Sequence, residues 1–295
     1  MVSHSRAVVR APGKINLMLG IAGIAPNGYH LLDTVMHAFE PGDVVVISQR
    51  PEREGISVTC SRPGVPEDES NIAHKAALAF FAATGTRCGL NIHIDKTIPP
   101  EAGLGGGSAD AAAVLRGLDA MLGTSLSDEA LCEIGVKVGA DVPFCLIGGC
   151  ALARGIGDKL TALPPLRGCY IAIVKPPGGM STAYAYSLYD EYDGKLPPID
   201  SRAMIEFITR GDVPGVGGCM RNVFEYVAAG EHTERIKSAM IAEGAIGAAL
   251  SGSGSAVAGL FLDEAKAREC LSRLSSFETL MAQPAHTGAR VIHLE

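Results

Sequence analysis

Apolar positions recur along this chain with two different periods. Over 14–22, "KINLMLGIA", they alternate: Ile15, Leu17, Leu19 and Ile21 share one face of a strand, and Lys14 and Asn16 stand together on the other. "PNGYH" (26–30) reads as a turn, followed by strands in "GDVVVISQR", "GISVTC" and "GLNIHIDK", the last with Leu90, Ile92 and Ile94 inward. Helical spacing takes over in "SNIAHKAALAFFAATG", opened by Ser70 or Asn71 and stopped by Gly85. Two more helices are predicted from about Ser108 to Leu122 and from Ser127 to Val138, and the chain then turns at "GADVPF".

In the second half, strands "GCALARG" and "GCYIAIVKP" flank the pair Pro164-Pro165. Helices are expected near 181–190, 200–209, 220–229, 231–243 and 263–274, with strands "SAVAGLFL" and "ARVIHLE". Strands and helices do not alternate strictly, which favours an α+β fold over a doubly wound α/β sheet. A length of 295 residues suits two domains. The proline pair marks the expected boundary, giving 1–165 and 166–295.

Charge and cysteine content narrow the function classes. Lys and Arg number 25 against 32 Asp and Glu, a net charge of -7, so there is no electrostatic footprint for nucleic acid or an anionic membrane. The eight cysteines show neither CxxC nor paired histidine spacing, which fits reduced thiols in a cytoplasm better than zinc or a disulfide framework. "MVSHSRAVVRAPGK" has no apolar h-region, so no secretory signal is expected. The uncharged run 244–262 is too rich in glycine and serine for a membrane span and reads as buried strand and loop.

The candidate chemistry starts at Pro99-Pro100-Glu101-Ala102-Gly103-Leu104-Gly105-Gly106-Gly107-Ser108-Ala109. Glycine permits positive φ and lets a ligand approach bare N–H groups, while the helix that follows adds a partial positive charge. Such a loop is an anion cradle, and Ser108 could cap the helix and offer a hydroxyl to phosphate or magnesium. The plain alternative is a flexible loop with a capping serine. A Walker A loop needs lysine where Ser108 stands; a dinucleotide loop follows its strand at once, whereas "TIPPEA" intervenes here; no HRD or DFG is present.

This loop resembles that of the small-molecule kinases of the GHMP superfamily. "APGKINLML" is similar to the superfamily's first motif and "GAIGAALSGSGSAVAGLF" to its third, so three motifs occur in order across nearly the whole chain. Within the superfamily, "APGKINLMLGIAGIAPNGYHLLDTVM" and "GADVPFCLIGG" together resemble the kinases whose acceptor carries a cytidine diphosphate group, with "NGYH" the most discriminating piece. The resemblance implies a two-domain α+β fold with the active site in the cleft between an N-terminal ATP-binding half and a C-terminal half. It also implies ATP as donor and Mg2+ as cofactor, with a small-molecule partner and a cytoplasmic setting.

It assigns residues as well. Lys14 and Asp141 match the catalytic positions; only the resemblance says that they meet. By themselves they read as a solvated strand lysine and a helix N-cap. Tyr29 would stack on the cytosine and His30 hydrogen-bond it; a plain hairpin turn explains Asn27-Gly28 but not the aromatic. Asn16 would line the acceptor pocket, and Thr182 and Tyr186 would touch substrate from the second half unless they are one face of an ordinary helix. For ATP, the residues are Pro99 to Ala109 with Asn71 and Lys96, and Ser108 is the one metal ligand expected. Ala109 stands where many relatives carry a second serine. Two other readings stay open: a phosphate sensor without chemistry, and a GHMP kinase for mevalonate or homoserine, which would lack "NGYH".

Overall fold

A computed structural model describes residues 4–50, 52 and 54–295; Met1 to Ser3, at the head of the stretch read above for a signal, lie outside the described residues. The chain starts with two long antiparallel strands, β1 (Arg6–Ile24) and β2 (His30–Gln49). The second is far longer than "GDVVVISQR" suggested, because "EPG" at 40–42 looked like a break. The strand instead absorbs it as a bulge: pairing steps from Ala11↔Asp43 to Gly13↔Phe39. Gly42 is needed there, since a Cβ would lie 2.1 Å from the Ala11 carbonyl oxygen.

Next come β3 (Ile56–Cys60), α1 (Ile72–Thr84), β4 (Leu90–Asp95), α2 (Gly106–Leu122), α3 (Asp128–Gly135) and α4 (Val142–Ile147). Then β5 (Cys150–Gly155), β6 (Lys159–Leu163) and β7 (Tyr170–Lys175) lead to α5 (Thr182–Glu191), α6 (Arg202–Arg210) and α7 (Val213–Cys219). The chain ends with β8 (Arg221–Asn222), α8 (Phe224–Val227), α9 (Thr233–Ala242), β9 (Gly247–Leu250), β10 (Val257–Phe261), α10 (Glu264–Arg273), β11 (Glu278–Pro284) and β12 (Arg290–Leu294). The elements β6, α7, β8 and β11 carry no clear periodic signal, and "GADVPF" opens a short helix rather than a turn. The helix expected at 220–229 shrinks to α8, since Arg221 and Asn222 pair with β1.

The sheet runs β12-β1-β2-β11-β7-β10-β9, with β4 and β5 also on β2, β3 on β4 and β6 on β5. The fold is α+β. β11 links its two parts, pairing along β7 and touching β2 at Gln283↔Glu40. Helix α2 lies against β1 and β2, and its alanines explain how close it comes. Ala109, Ala111, Ala112 and Ala113 are fully buried, and a Cβ on Gly117 would lie 2.4 Å from Ile47 Cδ1. No described helix is long and apolar enough to cross a membrane, and 244–262 forms β9, a loop and β10. All eight cysteines are free thiols, and burial pushes Cys150 up to about 12.

His37 links the segment after the proline pair to β2. Fully buried, its Nε2 accepts the Leu166 N–H at 2.9 Å and its Nδ1–H donates to the Ala38 carbonyl at 2.7 Å. This arrangement needs a neutral ring, and burial lowers its pKa to about 4. The unfolded ring takes a proton near pH 6.5 and the folded one does not. Stability is therefore full above about pH 6.5 and falls as pH drops toward 4, by roughly 3 kcal/mol. Urea unfolding at pH 7.5 and 4.5 should show this loss, and His37→Gln should flatten it; a profile unchanged by His37→Gln would assign the acid sensitivity elsewhere.

Candidate active site

The glycine loop delivers α2 with its first turn bare. Gly105 is the N-cap, at φ +68°, and no side chain caps the helix. Ser108 is thus a third helical residue rather than the cap, and the N–H groups of Gly106, Gly107 and Ser108 have no intrahelical partner. A helix of 17 residues points its positive end at that spot.

Gly103 and Gly105 each have a neighbour that requires a bare backbone. A Cβ on Gly103 would lie 2.0 Å from the Ser251 carbonyl oxygen, and one on Gly105 2.8 Å from Lys14 Cγ. On the facing loop, a Cβ on Gly252 would lie 3.3 Å from Lys14 Nζ. The two loops are bonded together: Ser251 Oγ donates to the Gly103 carbonyl at 2.9 Å and the Ala256 N–H to the Ala102 carbonyl at 3.1 Å. Pro99 to Ser108 all line the large cleft that opens here, but Ala109 does not. Its methyl is fully buried in the core, so it offers nothing to a ligand, and the missing serine hydroxyl there would point into the core.

Lys14 lies between the loops. Its ammonium donates to Asn16 Oδ1 at 2.8 Å and sits 3.5 Å from Asp141 Oδ2, while its side chain is 5% exposed. Asn16 is fixed in turn. Its Nδ2 donates to Thr34 Oγ1, its Oδ1 also accepts the Gly252 N–H, and Thr34 passes its own proton to the Met18 carbonyl. Asp141 precedes α4 without capping it: its φ and ψ are helical and its carboxylate takes no N–H of the first turn. That carboxylate, about one third exposed, is left facing Lys14 and the cleft. Lys14 and Asp141, far apart in sequence, therefore meet.

At the other end of the cleft, Tyr29 is exposed and His30 is held. His30 Nε2 is 2.8 Å from Asp190 Oδ1, and its ring stacks on Tyr186 at 4.5 Å. Tyr186 packs edge-on against Phe224, and burial, with Asp141 adding, pushes its phenol up to about 12. Thr182 opens α5 with its hydroxyl 3.3 Å from Ser253 Oγ. The cleft is lined by both parts of the chain and measures about 1370 Å3, more than one small ligand needs.

Two expected ATP residues are occupied by the fold. The Asn71 side chain caps α1 through the Ala73 N–H and donates to the Pro66 carbonyl. The Lys96 ammonium, 3.1 Å from where a Gly106 Cβ would be, is bound by Asp43 at 2.6 Å and Asp110 at 2.5 Å. Asp43 also accepts the Thr97 and Ile98 N–H groups. Burial, opposed by Lys96, holds Asp110 well above the usual carboxylate range, and its Oδ1 has no partner. Asp110 shares a helix face with Gly106, four residues back, and so points away from the face of Ser108. Lys96 thus lines the cleft beside Gly106 with its ammonium already bound by Asp43 and Asp110. No group of three or more His, Cys, Asp or Glu among the described residues could hold a metal.

Sequence reasoning missed Asp43, Thr34, Asn222 and Asp190. Asn222 Nδ2 ties down the second loop through the Leu250 and Gly252 carbonyls. Its signal is faint, a buried asparagine in a two-residue strand.

Comparison with known proteins settles the family. The GHMP kinase N-terminal domain model matches residues 71–149 and the C-terminal model residues 204–278. A 4-diphosphocytidyl-2-C-methyl-D-erythritol kinase of Carboxydothermus hydrogenoformans is 42% identical over 91% of this chain and 93% of its own. The chain belongs to the 4-diphosphocytidyl-2-C-methyl-D-erythritol kinase family of GHMP kinases. A relative of the same name from Clostridium botulinum is 38% identical over 90% of this chain and 95% of its own. Membership makes the protein an enzyme, a kinase, and implies that it uses ATP. A crystal structure of a 4-(cytidine 5'-diphospho)-2C-methyl-D-erythritol kinase superposes with a TM-score of 0.73 at 31% identity, covering 97% of each chain. A homoserine kinase from Cytophaga hutchinsonii superposes at 0.78 over 98% of each chain but is only 20% identical, so it shares the fold alone.

The interlocked loops make a direct test. Gly103→Ala must put a methyl into the Ser251 carbonyl at positive φ, and should cost at least about 2 kcal/mol in thermal or urea unfolding. Gly218→Ala, exposed in α7 with open space around it, should be neutral or slightly stabilising. Equal effects would contradict the loop contact.

Proposed function

We propose that this enzyme transfers the γ-phosphoryl group of ATP to the 2-hydroxyl of 4-diphosphocytidyl-2-C-methyl-D-erythritol, in the cytoplasm, as a step of the non-mevalonate isoprenoid pathway. The observation that carries the reading is Asp141: freed from capping and 3.5 Å from buried Lys14, its carboxylate lines the same cleft as the bare first turn of α2. A phosphate sensor would have no use for such a carboxylate. The names of the relatives supply the acceptor, and "NGYH" beside Tyr186 is consistent with it.

Residues 1–165 hold ATP and residues 166–295 close the acceptor side, with β12 returning to the first sheet. The phosphates lie on the N–H groups of Gly106, Gly107 and Ser108, with Pro99 to Leu104 forming the wall. Asn71 and Lys96, which line the same cleft, border the ATP site. The acceptor hydroxyl lies between Lys14 and Asp141. Asp141 takes its proton as the new O–P bond forms and the bond from the γ-phosphorus to ADP breaks; Lys14 stabilises the negative charge that develops. The transition state is loose, so most of the gain comes from holding both reactants in line. Asn16 fixes the lysine, and Thr182 and the Gly252–Gly254 backbone approach the acceptor from the second half.

Mg2+ would fit with a small protein share: Ser108 would offer one hydroxyl beside the ATP phosphates and the waters such an ion keeps, and the ion would neutralise phosphate charge. Tyr29 stacks on the cytosine and His30 binds its edge.

Asp141→Asn keeps size and shape but cannot take a proton. Its kcat with this acceptor should fall by about 10²–10⁴-fold, while ATP affinity measured by calorimetry stays within about threefold. Full turnover in this variant would remove Asp141 from the chemistry.

A further inference from the structure

His30 and Asp190 come from different parts of the chain, β2 and α5, and meet at 2.8 Å. A carboxylate only accepts, so His30 Nε2 must carry the proton, and in a neutral ring Nδ1 is then a lone-pair acceptor. Nδ1 has no hydrogen-bond partner among the described residues. The ring is not free to turn: Tyr186 stacks on it with planes 24° apart, and Tyr189 meets it edge-on at 5.6 Å. The imidazole side chain is 11% exposed and lines the cleft, while Asp190 is half exposed.

We propose that Asp190 is a positioning residue that sets base specificity: by holding the proton on His30 Nε2, it makes Nδ1 an acceptor that suits the exocyclic amino group of cytosine and repels the carbonyl of uracil. This rests on the reading above that the base lies at His30. The two bases are nearly identical in shape and differ at that edge, where cytosine donates and uracil accepts. A site built to bond a donor rejects an analogue that brings an acceptor, because the acceptor is left facing another lone pair. Asp190 touches neither base; it acts only through the tautomer.

The test uses the full-length enzyme with cytidine 5'-diphosphate and uridine 5'-diphosphate as calorimetric probes and nitrogen-15 NMR of the histidine rings, with His30 assigned by His30→Ala. The wild type should prefer the cytidine probe and show a pyridine-type Nδ1 at His30. Asp190→Ala should lose that signature and narrow the preference at least about tenfold, mainly by weakening the cytidine probe. Asp190→Asn, whose oxygen still accepts from Nε2, should retain most of it. If Asp190→Ala weakens both probes alike, Asp190 merely fastens α5 and the proposal falls; a pyridine-type Nε2, or protons on both nitrogens, in the wild type overturns it too. A wild type without preference, or a His30→Ala enzyme that binds the cytidine probe unchanged, would instead overturn the base site itself and the proposal with it.

Discussion

The rest of the site depends on two stretches of bare backbone closing around one lysine side chain. Gly103 and Gly105 on one loop come so close to Ser251 and Lys14 that any Cβ would intrude, and Gly252 on the other, at φ +55°, would put a Cβ 3.3 Å from Lys14 Nζ. Glycine carries an entropic cost wherever it is ordered, and here that cost secures an approach that no other residue allows. The lysine is buried but matched, by Asn16 on one side and Asp141 on the other. An ammonium in so little water could not remain without them.

The polar parts of the molecule divide into two kinds. Beside the loop, Asp43, Lys96 and Asp110 bind one another, fastening the end of β4 and the start of α2 to β2. By contrast, the first-turn amides of α2 have no intrahelical partner, and the Asp141 carboxylate, its only neighbour of opposite charge Lys14 at 3.5 Å, lines the cleft about one third exposed. Groups left unpaired in a concave space are those available for a ligand. Lys96 lines the cleft as well, but with its ammonium shared between Asp43 and Asp110.

How much of this was legible depended on range. The period-two pattern placed Lys14 beside Asn16, and the structure bonds them at 2.8 Å. The glycine run announced a bare helix start, although its cap moved from Ser108 to Gly105, because positive φ at Gly105 lets the helix begin sooner. The "EPG" at 40–42 hid the length of β2, since a bulge and a turn use the same residues. Contacts between distant residues gave no local signal at all. Asp190 is one acid on an exposed helix until His30 arrives from the other part of the fold, and Asp141 looks like a cap until its geometry is seen.

The central claim is that this cleft phosphorylates a cytidine diphosphate-bearing polyol. The most direct measurement is ATP consumption with magnesium and 4-diphosphocytidyl-2-C-methyl-D-erythritol, beside mevalonate, homoserine and galactose as acceptors. Turnover with the cytidyl acceptor and none above background with the others is the predicted result. Turnover with mevalonate, homoserine or galactose in its place would keep the phosphate loop and contradict the acceptor assigned to this cleft.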